Sequence, residues 1–381
     1  MTTAAHPPPI ALLQQLQERI RGERPPPKGE TVAIPVEGYL SQARFEQEQA
    51  LFRRTPLAIG HEAQLPAAGD TLAYDWLGLP LLTMRDKEGR IGTFMNVCRH
   101  RGMRLVQEEG QTCVRSLVCP YHNWTYGLDG ALRNIPLQES FGEIDPQAHG
   151  LVPVPTEVRH GLIWVQATPG ESMDLDKHLA GLGSELDTFG FPDLHFGAQA
   201  IHEIDCNWKL VQDAFLDGYH VVRLHKNTVG GFFPDSLAET DTIGRHVRSA
   251  VARKEIFEAA EAPESELDLR KHASFSYTVF PNVVLVLHPE YSSIISLFPT
   301  APDRTLFVHS MLSPQPIEGD KAKDHFARSF ELIDKGVFLA EDIHVSVGSQ
   351  RGLASGANDA LLFGGYEAAA VGFHRMLEES L

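Results

Sequence analysis

Two short stretches carry the residues best suited to chemistry. One reads Cys98-Arg99-His100-Arg101-Gly102 and the other Cys119-Pro120-Tyr121-His122-Asn123-Trp124. Each offers one thiolate and one imidazole, with one residue between them in the first and two in the second. A zinc finger would group its cysteines in one pair and its histidines in another. The alternation here suits a [2Fe–2S] centre in which two cysteines hold one iron and two histidines hold the other. Each loop then sends its Cys to the inner iron and its His to the outer one.

A second constellation is Asp217-Gly218-Tyr219-His220-Val221-Val222-Arg223-Leu224-His225. Read as a helix entered at Asn207-Trp208-Lys209, it puts Asp217 and His220 three residues apart on one face. His220 and His225, five apart, would stand roughly 140° round an ideal helix. They can share a metal only where the helix bends, bulges or ends between them, and such irregularities favour functional sites. Two His and one carboxylate form the facial triad of non-haem Fe(II) oxygenases, which leaves positions open for dioxygen. The carboxylate candidates are Asp205, Asp213, Asp217, Glu341 and Asp342.

These side chains need rigid mounts. A chain of 381 residues, 43% of them hydrophobic, has room for two domains with full cores. An amphipathic helix is predicted from Ile10 to Arg21, broken by Pro25-Pro26-Pro27, and a second over Gln42 to Phe52. From about Leu57 the pattern turns strand-like, with runs at Thr71–Tyr74, Leu79–Met84 and Ile91–Val97, the last delivering Cys98. Asp129-Gly130 is a two-residue hairpin signal, and Leu162–Val165 closes the all-β unit. Beyond it come helical segments around His178 to Phe189 and strands at Ala198–Ile204, Tyr277–Leu287, Ser292–Phe298 and Thr305–Leu312. Helices are expected from about Asp320 to Gly352 and from Tyr366 to Glu379. The division predicted is a helical N-terminal segment over 1–52, a small all-β domain over 53–167 and a second domain over 168–381. The fold class is α+β, with an antiparallel sheet gripping a long helix in the second domain.

The formal charge of −17 argues against nucleic acid or an anionic membrane as partner. Of four cysteines, Cys98, Cys113, Cys119 and Cys206, two are assigned to the cluster, so a secreted disulfide framework is not expected. Met1-Thr2-Thr3-Ala4 leads to Pro7-Pro8-Pro9 without a basic start and apolar core, and no apolar run reaches membrane length. A soluble, cytoplasmic protein is expected.

Cys98-Arg99-His100-Arg101-Gly102, with Cys119-Pro120-Tyr121-His122 and Trp124-Thr125-Tyr126, resembles the Rieske non-haem iron oxygenases of the aromatic-ring-hydroxylating type, in their catalytic alpha subunit. The likeness runs from about residue 37 to the C-terminus. It implies a Rieske [2Fe–2S] domain held by Cys98, His100, Cys119 and His122. It also implies a helix-grip (START-like) catalytic domain, with the N-terminal segment packed on it, in which His220 and His225 hold a mononuclear Fe(II). The family takes its third ligand from an acidic pair on a late helix, eight residues before a Gln. Here Glu341-Asp342 precedes Gln350-Arg351-Gly352-Leu353, so the resemblance assigns Asp342. Asp217 falls at the family's bridge between the two metal centres. Two departures stand out: Asn123 where the family usually has Gly, and Asp213-Ala214 where Glu-Asn commonly precedes the residue matching Phe215. Arg101 and Tyr121 stand where respiratory Rieske proteins carry extra cysteines. No clamping disulfide is therefore expected, and the potential should lie near the low end, about −150 mV.

The activity so implied is that of the oxygenase component of a multicomponent system. Electrons would come from NAD(P)H through a separate reductase and/or ferredoxin, and O2 would mono- or dihydroxylate, or demethylate, a small organic substrate. Relatives that oxidise quaternary amines are expected to carry Glu at the bridging position. Asp217 therefore turns the reading towards an aromatic compound, with a quaternary amine such as choline, betaine or carnitine as the alternative. A Rieske electron-transfer protein with a helix-grip ligand-binding domain is the alternative of another class. The family's head-to-tail trimers imply a homotrimer or an alpha3beta3 assembly.

Overall fold

Strand-forming runs punctuated by turns build one of the chain's two units, Phe52–Leu175; the other joins the residues up to Leu51 to Asp176–Leu381. The computed structural model describes residues 6–76, 78–107 and 110–381, so the first five residues of the predicted N-terminal segment lie outside the described residues. Thr168–Leu175, predicted to open the second domain, falls in the β-rich unit. No helix among the described residues is long and apolar enough to cross a membrane.

The β-rich unit is antiparallel throughout. Its five-stranded sheet runs in the order Pro153–Val154, Ile91–Met95, Leu79–Arg85, Asp70–Trp76, Gly110–Cys113. A three-stranded sheet joins Thr156–Arg159, Leu162–Gln166 and Pro56–His61, and another joins Leu117–Val118, Thr125–Tyr126 and Leu132–Asn134. Side chains of the five-stranded sheet and of the Leu117–Asn134 sheet share a buried cluster with the loops between them, in which Leu82, Met84, Leu105, Leu117, Trp124 and Tyr126 pack with Cys98 and Cys119. The hairpin predicted at Asp129-Gly130 is present with a longer turn. The Gly127 N–H donates to the Ala131 carbonyl, and Gly130 takes a left-handed φ of 78°. A type I turn followed by a left-handed residue is the usual three-residue solution. A Cβ on Gly130 would also lie 2.4 Å from the Phe94 ring, which leaves no room for any other residue.

In the other unit a seven-stranded antiparallel sheet runs in the order His195–Ile204, Arg304–Ser313, Ser292–Ala301, Val283–Leu287, Ala273–Val279, His246–Ala252, Ala238–Ile243. The single strand predicted over Tyr277–Leu287 is two strands. Phe280-Pro281-Asn282 turns the chain, and the Asn282 amide donates to the Leu297 carbonyl at 2.9 Å. The hairpin of Ala238–Ile243 with His246–Ala252 and the pairing of Val32–Pro35 with Ala360–Phe363 were not predicted. Both strands of the second pair are short, and their partners lie far apart in sequence.

Two helical elements position the second constellation. Trp208–Leu216 begins at Asn207, whose side chain accepts from the Lys209 N–H and donates to the carbonyls of Tyr39 and Pro302. Buried Lys209 and Trp208 both donate to Glu48 at 2.7 Å, tying this helix to Gln42–Arg54. The late helix is continuous from Gly319 to Ala354 but changes pitch: Leu332–Ile343 is π-helical between two α-helical arms. The sequence pattern predicted only a regular helix there.

Candidate metal centres

Buried side chains pin the first cysteine loop, among them Tyr126, whose hydroxyl accepts from the Arg99 N–H at 2.9 Å, and Asn96. Asn96 Oδ1 accepts from the N–H groups of Leu105 and Val106, and its Nδ2 donates to the Val106 carbonyl. Within the loop, the Cys98 N–H donates to the Met103 carbonyl and the Gly102 N–H to the Cys98 carbonyl. The second loop closes through Cys119 N–H to Trp124 and Asn123 N–H to Cys119. That closure needs a left-handed residue at Asn123, whose φ is 59°. Asparagine tolerates this region best after glycine, so the departure from Gly leaves the loop tight.

Cys98 and Cys119 are buried, whereas His100 and His122 are half-buried at the rim with ring centroids 4.7 Å apart. Burial pushes the Cys98 thiol up, the Tyr126 hydroxyl and the His100 N–H oppose it, and the neighbouring Cys119 adds to the rise. His100 stacks on Trp124 at 4.9 Å, and Tyr121 stacks on His122 at 3.7 Å. Nδ1 of both histidines is buried without a hydrogen-bond partner. Two inner thiols and two orphaned outer imidazole nitrogens form the donor set a [2Fe–2S] centre with mixed ligands requires.

The helix predicted through the second constellation is broken. Leu216 ends the first helix, Asp217 is extended (φ −109°, ψ 106°), and Val221–Leu224 forms a separate short turn. His220 and His225 flank that turn, so the 140° separation of a regular helix does not apply and both rings face one point. His220 Nε2 lies 3.2 Å from His225 Nε2 and 3.6 Å from Asp342 Oδ1; His225 Nε2 lies 3.3 Å from Asp342 Oδ1. An atom at each corner of such a triangle is roughly 2 Å from its centre, the length of a metal–imidazole bond. Asp342 Oδ1, at one corner of the triangle, is buried without a hydrogen-bond partner. The trio fits a divalent iron.

Of the other carboxylate candidates, Asp205 is exposed. Asp213 is held by the Tyr39 hydroxyl at 2.7 Å and by His374 Nε2 at 2.8 Å. Asp217 Oδ2 stands 3.5 Å from His220 Nδ1, on the side of the ring away from Asp342. Glu341 faces Nδ1 of His225 at 2.7 Å and accepts from the Thr228 hydroxyl at 2.7 Å. Burial pulls the His225 imidazolium down, but Asp342 and then Glu341 outweigh it, and the net shift is upward. The sequence reading missed Thr228 and Gly230. A Cβ on Gly230 would sit 2.8 Å from the His225 carbonyl, which accepts from the Gly230 N–H. The one available signal was the Gly230-Gly231 pair closing the histidine segment.

The trio opens on a cavity of about 530 Å³ within the larger unit. One row of short side chains across five strands, Thr240, Ser249, Ser276, Val286 and Ser293, makes the space. Phe215, Phe233, Phe275, Phe338 and Tyr291 supply much of the apolar wall. Arg19 and Arg24 also line the cavity, and both pair with Glu239 at 3.2 Å.

A small antiparallel domain presenting a two-Cys, two-His loop pair, joined to a helix-and-sheet domain with a two-His, one-carboxylate trio, defines an iron–sulfur oxygenase. Residues 55–155 match the family described as "Rieske [2Fe-2S] domain", and residues 191–381 match "Ring hydroxylating alpha subunit (catalytic domain)". The chain belongs to the Rieske non-haem iron oxygenases as a catalytic alpha subunit, with a [2Fe–2S] domain and a catalytic domain that binds mononuclear iron. It is 31% identical over 245 residues to the glycine betaine monooxygenase oxygenase subunit of Pseudomonas aeruginosa, covering 64% of this chain and 55% of that protein. It is 34% identical over 209 residues to the biphenyl 2,3-dioxygenase subunit alpha of Rhodococcus jostii, covering 52% and 45%. The chain thus spans about half the length of these relatives. A quaternary ammonium Rieske monooxygenase shares the fold at a TM-score of 0.78 and 20% identity, with 91% of this chain and 95% of that one covered.

Proposed function

We propose that this chain is the oxygenase component of a multicomponent system that hydroxylates or demethylates a small aromatic compound. Electrons reach it from NAD(P)H through a separate reductase or ferredoxin. One observation carries the reading: His220, His225 and Asp342 face a largely apolar cavity of about 530 Å³. A pure electron carrier has no use for a second metal trio opening on such a space.

Cys98, His100, Cys119 and His122 would hold the cluster, and His220, His225 and Asp342 the mononuclear iron. Bound there, the two groups supply stored electrons and the activation of O2. The rest falls to side chains. Glu341 and Thr228 fix the His225 ring, and the Glu341 carboxylate favours a proton on Nδ1, which leaves the Nε2 lone pair facing Asp342. Asp217 lies 3.5 Å from His220 Nδ1, outside hydrogen-bond contact, and its charge favours a proton on that nitrogen. Phe215, Phe233 and Phe338 keep water from the reacting face. Asp217 would also carry the bridge between centres, with assembly into a homotrimer or alpha3beta3 ring.

The substrate lean rests on charge. Apart from the metal trio and Asp217, the charged residues that line the cavity are Arg19, Arg24 and Glu239, and these pair with one another. A fixed cation would therefore meet aromatic faces but no free carboxylate beyond Asp217. The second reading is a quaternary amine monooxygenase, favoured by the likeness to the glycine betaine monooxygenase oxygenase subunit and by the cavity's phenylalanines and tyrosines, which can receive a quaternary ammonium. NADH-coupled oxygen uptake with a Rieske reductase, across neutral aromatics, aromatic acids and quaternary amines, tests both. Stoichiometric oxygenated product from an aromatic supports the first reading. Product from amines alone replaces it with the second, and reduction of the protein without product from any compound overturns both.

A further inference from the structure

A chain of hydrogen-bonded polar groups starts at the wall of the cavity on which the trio opens. Ser293 borders the cavity, and its Oγ lies 3.0 Å from His309 Nε2. His309 Nδ1 lies 2.9 Å from Asp334 Oδ1, and Asp334 Oδ2 lies 3.0 Å from His202 Nε2. Ser293, His309 and Asp334 are buried, but the His202 side chain is 24% exposed. The chain therefore begins at the cavity wall and ends at solvent, with every link at hydrogen-bond length.

Its members come from three strands and the π-helical segment: Ser293, His309 and His202 stand on neighbouring strands, and Asp334 stands eight residues before Asp342. The His309 ring is fixed by stacking on Phe330 at 5.1 Å and by the edge contact of Phe338 at 4.9 Å. Burial raises the Asp334 carboxyl, but the hydrogen bonds of His202 and His309 outweigh this and hold it well below the usual carboxylate range. Burial also pulls His309 down against the pull of Asp334, so the ring rests neutral. A neutral imidazole between a hydroxyl and a carboxylate can take a proton on one nitrogen and give one from the other.

We propose that Ser293, His309, Asp334 and His202 form a proton relay from solvent to the cavity. The proposal rests on the oxygenase reading above. Hydroxylation combines R–H, O2, two electrons and two protons into R–OH and water. Dihydroxylation of a double bond likewise consumes O2, two electrons and two protons. The reductase delivers the electrons, and the relay gives protons a fixed path through a largely apolar wall. In one pass His202 takes a proton from solvent and gives one from Nε2 to Asp334 Oδ2. The proton so gained by Asp334 turns to Oδ1 and, with the His309 proton on Nε2, passes to His309 Nδ1, while His309 Nε2 gives its proton to Ser293 Oγ and Ser293 releases its own hydroxyl proton into the cavity. Each bond to hydrogen that breaks is matched by one that forms, and no electron moves along the chain.

The test uses the iron-loaded protein with reductase and a substrate that the wild type oxidises. Ser293→Ala is expected to keep its iron content and melting temperature while product formation slows on the order of a hundredfold, the lower range for positioned proton transfer. A solvent deuterium isotope effect absent or small in the wild type should then dominate the rate. Ser293→Thr, which retains the hydroxyl, should restore both. His202→Gln at the exposed end should slow product formation less, and added imidazole should rescue it. His309→Gln adds an internal block, with its fold checked by melting. Wild-type rates and isotope effects in Ser293→Ala and His202→Gln would overturn the relay. So would losses that neither Thr nor imidazole rescues, since these would mark a purely structural network. A wild type that oxidises no compound in the panel would instead remove the oxygenase reading, and the relay with it.

Discussion

The two ring nitrogens of His225 face adjacent carboxylates: Nδ1 lies 2.7 Å from Glu341 Oε2, and Nε2 lies 3.3 Å from Asp342 Oδ1. Consecutive residues on the late helix thus bracket one imidazole, with Asp342 on the side of the His220–His225–Asp342 trio and Glu341 on the far side. Glu341→Gln keeps the side chain's size but removes the charge that favours Nδ1–H. Iron affinity is expected to fall about 10- to 100-fold, as for other partners of metal-bound histidines. Chelator competition followed by iron analysis checks this, and the cluster's visible spectrum should not change.

Asp342 and Asp217 stand on different sides of His220, and their variants should separate accordingly. Asp342→Ala removes a donor from the trio, so the mononuclear iron should be lost while the cluster's iron and sulfide remain. Asp217→Asn should retain all of the iron and lose turnover. Metal content and oxygen uptake measured on both variants decide it; the reverse pattern would exchange the two roles.

Asn123 carries a left-handed φ of 59° in the second cluster loop. Asn123→Gly should be neutral or mildly stabilising. Asn123→Val should cost about 1–2 kcal/mol, because a branched side chain clashes with its own backbone there. Thermal bleaching of the cluster absorption reports the difference, with the valine variant bleaching at lower temperature.

His246 predicts an acid limit to stability. Burial lowers its pKa to about 4, and its neutral ring is satisfied at both ends: Nε2 donates to the His178 carbonyl, and Nδ1 accepts from the Phe280 N–H. An unfolded chain takes up this proton near pH 6.5, whereas the folded chain does so only near pH 4. The unfolded state therefore binds more protons across that window, and stability falls as pH drops through it. The contribution approaches about 3 kcal/mol when complete. Denaturant unfolding at steps from pH 7 to pH 4 should show this slope, and His246→Gln should flatten it around a lower starting stability.

Much of the local chemistry was legible because it is short-range. Cys98 and His100, and Cys119 and His122, sit within single tight loops, so residue spacing alone constrains their geometry. The β-rich stretch and the late helix were readable for a similar reason, since strand alternation and turn residues act over a few positions. The hairpin at Asp129-Gly130 shows where that reasoning ends. The glycine was the right signal, but the turn is longer than the dipeptide implies, closed by the Gly127–Ala131 bond, with Phe94 packed where a Cβ on Gly130 would sit. Asn282 shows the same: its amide reaches the Leu297 carbonyl on another strand and stabilises a turn inside an apolar run that reads as one strand.

The sequence by itself determined which donors this protein owns: two Cys–His loops, a His220–His225 pair, and an acidic pair before Gln350. It also determined that a regular helix could not bring His220 and His225 to one ion. Only the tertiary structure decided how that conflict resolves. The helix stops at Leu216, a short turn re-aims both rings, and a π-helical segment brings Glu341 to His225 across 116 residues of chain. The same long-range packing placed Asp213 in a network with Tyr39 and His374 rather than beside the trio. It also linked Ser293 to His202 through His309 and Asp334. Spacing constrains atoms a few bonds apart; side chains a hundred residues apart meet only when the whole sheet and its helices close around one core.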